Sequence, residues 1–111
     1  HAVKAGVDVI LAEIADGVLQ AETATLLETE YARRSFAGVL FAASDAMGAG
    51  FGSAWLTKRG HRLLGVTGTL TNSPLQVAES RGVVRGDVIE TSELAVPMVA
   101  HGILEKARTS V

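Results

Sequence analysis

Gly38-Val39-Leu40-Phe41-Ala42-Ala43-Ser44-Asp45 is the stretch that decides the fold. Its apolar residues run on without polar alternation, which predicts a strand buried on both faces. Ser44-Asp45 then caps a helix that continues to about Arg59, where Gly60 stops it. The same pattern recurs on either side. Downstream, Leu63-Leu64-Gly65-Val66-Thr67-Gly68-Thr69 predicts another strand, and in Thr71-Asn72-Ser73-Pro74 the Ser is a helix N-cap with Pro at the first helical position. That helix is short, over 75–80, and ends at Arg81-Gly82. A shorter strand is expected at 86–91. Ser92 then caps a closing helix with Val96, Val99, Ile103 and Leu104 on one face and Pro97 near its first turn. Upstream, the β-branched run 7–15 predicts a first strand ended by Asp16-Gly17. A helix over 20–33 follows, with Ala21, Ala24, Leu27 and Tyr31 at spacings of three and four. Strand and helix alternate four times. The expected architecture is α/β: a mostly parallel sheet with helices on both faces, three-layered and Rossmann-like.

Composition bounds the function classes. The chain has 111 residues, 48% of them hydrophobic, with a formal net charge of -2. That length suits one domain, and the apolar content excludes disorder. With no cysteine there is no disulfide framework, thiolate metal site or thiol nucleophile. No run of Lys or Arg exceeds two, which argues against a nucleic-acid surface. No apolar run approaches the ~20 residues of a membrane span. The opening His1-Ala2-Val3-Lys4-Ala5-Gly6 reads as the last turn of a helix, which predicts the later part of a larger domain. A tag remnant before a true start is the other reading. No signal peptide is visible, so a cytoplasmic protein is expected.

In open α/β sheets, ligands bind beyond the carboxyl ends of the strands. The predicted strands deliver Glu13, Asp16, Gly17 and Gln20; Ser44 and Asp45; Thr67, Gly68, Thr69, Thr71, Asn72 and Ser73; and Glu90, Thr91, Ser92 and Glu93. Turns and caps require the same residue types, which accounts for most of these. Glu13 is different because it interrupts an apolar run, where capping does not explain it. With Asp16 three residues on, it can hold Mg²⁺ directly or through water. The competing reading is an edge-strand Glu facing solvent or paired with an Arg.

Other motifs carry less. Gly48-Ala49-Gly50-Phe51-Gly52-Ser53 has Ser where a dinucleotide fingerprint needs its third Gly, and it falls in a helical pattern. Close helix packing explains these glycines better than a phosphate cradle. Gly60 and Gly65 have Walker A spacing, but no Lys follows the second Gly. His1, His61 and His101 have no partners at metal-ligand spacing, and neither Ser44 nor Ser73 sits in a nucleophile elbow. Lys58-Arg59 with Arg62 forms a small basic turn that can touch a phosphate or simply solvate a helix end.

The segment Ala12-Glu13-Ile14-Ala15-Asp16-Gly17-Val18-Leu19-Gln20-Ala21-Glu22-Thr23 resembles bacterial P-loop NTPase-like proteins related in architecture to dethiobiotin synthetase. Residues 38–46 and 69–75 fit the same group, so the resemblance spans roughly residues 1–95. It implies that Glu13 and Asp16 serve Mg²⁺ and nucleotide phosphates, and that Asn72, with Gly17 and Thr71 on the same edge, contacts the nucleotide. The family's phosphate loop lies upstream of the residues present, and no Walker A lysine is in this chain. The implied role is therefore ATP and Mg²⁺ binding in the intact protein, with no hydrolysis by this chain alone. Ala43-Ser44-Asp45-Ala46 is also similar to the ligand-binding half of sugar-binding repressors. The function expected is the C-terminal portion of a nucleotide-binding protein. The alternative is a non-catalytic small-ligand or self-association module, and a homo-oligomer is expected in either case.

Overall fold

A computed structural model describes residues 9–108. The apolar stretch around Phe41 is extended: β1 covers Val39–Ala42. β2, Leu63–Thr67, lies beside it in parallel. Val39 pairs with Leu63 and Leu40 with Gly65, which leaves Leu64 as an extra residue in β2. This is a β-bulge, which leaves a residue outside the regular ladder. The Leu64 carbonyl accepts from Lys106 Nζ at 2.9 Å.

Local signals set the helices around these strands. α1 (Ala21–Leu27) and α2 (Glu30–Ser35) come first. α3, Ala46–Lys58, starts at Asp45, whose carboxylate accepts from the Gly48 N–H at 2.7 Å. It ends as the sequence predicts, with Gly60 at φ 88°. There the Gly60 N–H donates to Thr57 and the His61 N–H to Leu56, the double bond of a Schellman cap. A 3₁₀ turn at Thr69–Asn72 leads to α4, Pro74–Val83, with Ser73 as its cap and Pro74 as its first residue. A second 3₁₀ turn, Thr91–Ala95, precedes α5, Pro97–Arg108.

The core lies between the strands and α3–α4. Ala49, Val66, Leu70, Val77, Val84 and Val88 form one buried cluster, and Leu27, Trp55 and Leu56 form another. Phe41 and Leu63 pack against both. Gly52 supplies the space for this: a Cβ there would run into the Phe41 ring. Gly50 faces Val83 of α4, so these two glycines of α3 are packing residues.

Several sequence expectations need correction. Residues 9–15 form no strand, and Ile10 and Leu11 are 61% and 88% exposed. Val7 and Asp8, along with residues 1–6, lie outside the described residues. A continuous apolar run signals burial but does not name the strand that must pair with it. The fourth strand shrinks to a parallel bridge between Val88 and Val66, made by Val66 N–H to Asp87 and Ile89 N–H to Val66. The sheet therefore has two strands rather than four. β1 is also not buried on both faces, because Val39 and Phe41 face the core while Leu40 is 39% exposed.

The helix expected over 20–33 divides at Thr29, whose hydroxyl caps α2 through the Ala32 N–H. α4 runs past Arg81-Gly82 to Val83, where the buried Val84 donates its N–H to the Ser80 carbonyl at 2.9 Å, against a Gly cost of about 1 kcal/mol. The closing helix begins at Pro97 instead of Ser92. Pro97 holds Val96 extended, at ψ 118°, so the 3₁₀ turn capped by Glu90 and Glu93 cannot run on into α5. A cleft of about 610 Å³ separates α5 from residues 86–89. Among the described residues, no helix is long and apolar enough to cross a membrane.

Candidate functional site

The loops leaving the carboxyl ends of β1 and β2 meet at Gly68. Its φ of 107° is open to glycine, and a Cβ there would lie 2.5 Å from the Ala43 carbonyl oxygen. The absence of a side chain lets the two loops touch backbone to backbone. Ala43 N–H donates to Thr67, and Leu70 N–H donates to the Ala43 carbonyl at 3.1 Å.

A third segment joins through hydroxyl groups. Thr71 Oγ1 donates to the Gly68 carbonyl at 2.8 Å and accepts from the Thr91 N–H at 3.1 Å. The Thr91 hydroxyl lies 3.0 Å from Thr71 Oγ1 and 3.2 Å from the Gly68 carbonyl. Residues 43–45, 68–73 and 90–93 are thus tied into one edge. Gln76 Oε1 braces it by accepting from the Ala46 N–H at 2.9 Å, which links the start of α3 to α4. Beside this cluster, Thr67 is 6% exposed and its hydroxyl has no partner among the described residues. A buried hydroxyl left unpaired costs roughly 1–3 kcal/mol.

Charge at this edge is unfriendly to phosphate. The N-terminus of α3, where an anion would gain most, already holds the Asp45 carboxylate. At α4, Pro74 has no N–H and the Gln76 N–H is taken by Ser73 Oγ. Apart from the capping carboxylates of Asp45, Glu90 and Glu93, what the edge offers is neutral: hydroxyls, carbonyls and the exposed Asn72 amide, which makes no hydrogen bond to described residues.

The residues singled out in the sequence separate into two places. Thr71 sits within the threonine cluster and Asn72 on its rim. Glu13 and Asp16 are exposed on a segment without helix or strand, and the Gly17 carbonyl accepts from the Gln20 N–H at the start of α1. No hydrogen bond joins Glu13, Asp16 or Gly17 to Thr71 or Asn72. Among the described residues, no group of three or more His, Asp or Glu converges to hold a metal ion. Glu13 and Asp16 thus sit on a segment where no further acid among the described residues completes an ion site. The roles of Gln76 as a brace and of Gly68 as the shared acceptor have no local signature, since each depends on residues far away in the chain. Comparison with family models, curated proteins and solved structures finds no match to this chain.

Proposed function

We propose that this chain binds a small ligand at the carboxyl ends of its strands, within a three-layer unit of the P-loop NTPase-like or Rossmann-like kind. The observation that carries the reading is the convergence of three loops on Gly68, at the position where open α/β sheets receive ligands. A nucleotide is the ligand implied by the sequence resemblance. The Asn72 amide supports it, because a donor and an acceptor side by side match the edge of a base. ATP phosphates and Mg²⁺ then fall to the intact protein, with Glu13 and Asp16 as the acids available to the ion.

The test is a calorimetric and NMR titration with adenosine, ATP and ATP with Mg²⁺. Adenosine and ATP should shift the amides of residues 68–73 and 91. Asn72→Ala should weaken binding by about tenfold, the worth of one to two hydrogen bonds. Absence of binding, or affinity unchanged in Asn72→Ala, overturns the reading.

Self-association is favoured by a separate observation, the outer face of β1 with Leu40 39% exposed. A second copy covering that face would complete its burial. Light scattering should then show a dimer that Leu40→Lys dissociates. A monomer, or a dimer indifferent to that charge, counts against it.

A further inference from the structure

We infer that the cleft at the amino ends of the strands is a binding site for a small phosphomonoester. It lies at the opposite end of the sheet from the threonine cluster. The cleft is open to solvent, has a volume of about 380 Å³ and is lined by Arg33, Phe36, Ala37, Thr57, Gly60, His61 and Arg62. Two arginines line it, and no Asp or Glu does. The chain as a whole is acidic, yet five of its ten Lys and Arg (Arg33, Arg34, Lys58, Arg59 and Arg62) fall in the two segments that build this corner.

Two acids lie nearby, and one of them, Glu30, is bound to the cleft's own Arg33, whose charge it partly offsets. Glu30 pairs with Arg33 and Arg34, and Glu28 pairs with Arg59. Arg33 is held in place before any ligand arrives: Nη1 donates to the Glu28 carbonyl and Nη2 to Glu30, each at 2.9 Å. Its stem lies over Gly60, where a Cβ would come within 2.9 Å of Arg33 Cδ. Arg62 is different. It is exposed, and its side chain makes no hydrogen bond or ion pair to described residues. A fixed guanidinium on one wall and an uncommitted one on another suit a phosphate dianion, which accepts from both.

The remaining walls point to what the phosphate is attached to. Phe36 and His61 lie with ring centroids 6.3 Å apart. His61 is buried, its Nε2 donating to the Leu27 carbonyl at 2.6 Å, so its ring is a fixed surface. Phe36 and Ala37 add apolar area. A cleft within the size range of small-molecule sites thus sets cations beside two tilted rings, of which the half-buried Phe36 supplies the apolar surface. That fits a phosphate carrying a planar ring better than bare inorganic phosphate.

The test uses phenyl phosphate, inorganic phosphate and benzyl alcohol, each titrated at low salt and followed by amide shifts. Phenyl phosphate should perturb residues 33, 36, 57 and 60–62, bind more tightly than inorganic phosphate, and weaken as salt rises. Benzyl alcohol should leave these amides unmoved. Arg62→Gln, which breaks no hydrogen bond or ion pair to described residues, should weaken phenyl phosphate about fivefold or more while leaving the rest of the spectrum in place. The inference is overturned if these amides do not respond, if Arg62→Gln binds equally well, or if chloride competes as well as phosphate.

Discussion

Gly68→Ala lowers the unfolding free energy by about 3 kcal/mol or more, read as a drop in the urea midpoint. Two costs add at this position. A backbone at φ 107° and ψ -169° belongs to glycine, and other residues incur roughly 1–3 kcal/mol there. The new Cβ would also lie 2.5 Å and 2.6 Å from the Ala43 oxygen and nitrogen. Those are backbone atoms, so no rotamer change relieves the clash and the two loops must part. Against a total stability of about 5–15 kcal/mol this is a large fraction. Gly82→Ala is the matched control. It lies within α4, its Cβ would meet nothing within 4 Å, and it should be neutral or stabilising by up to about 1 kcal/mol. Equal midpoints for the two variants would refute this account of the Gly68 turn.

Trp55→Ala costs about 3–5 kcal/mol, measured by thermal or chemical unfolding. Trp55 is 8% exposed and packs with Leu27 and Leu56, where α1 meets α3. Its outer face is covered by Arg59, whose guanidinium carbon lies 3.8 Å from the ring centroid. Arg59 also reaches Glu28 at 3.0 Å, so one stack joins the end of α1 to the end of α3. Most of the loss comes from the cavity. The cation–π term contributes about 0.5–1 kcal/mol, so Arg59→Met should cost far less than Trp55→Ala. A loss below about 1 kcal/mol for Trp55→Ala would mean that α1 does not depend on this contact.

The part of the fold that is legible in the sequence is the part with local causes. Asp45, Gly60, Ser73 and Pro74 each act within a few residues, and the helix ends they mark are where they are expected. β1 and β2 are legible because apolar runs bounded by turns have few alternatives. Strand partners are a different matter. Nothing in residues 9–15 or 86–91 says whether a neighbouring strand exists, and the structure gives the first none among the described residues and the second a bridge. The candidate site divides in the same way. Gly68, Thr71 and Thr91 were all expected at strand ends, but the meeting of the two hydroxyls at the Gly68 carbonyl depends on separations of up to 23 residues. In the basic corner, Arg62 sits in a visible turn, while Arg33 arrives from another helix.

The bulge at Leu64 bears on how the molecule opens. α5 has no buried residue and borders the 610 Å³ cleft. Among its anchors is Lys106, which bonds the bulge carbonyl and lies 3.2 Å from Asp87. Lifting α5 therefore removes no buried residue from either core cluster, since none of them belongs to it. The carbonyl at the irregular step of the strand thus becomes a latch. It holds an element that can detach at low free energy while the sheet and α3 stay folded.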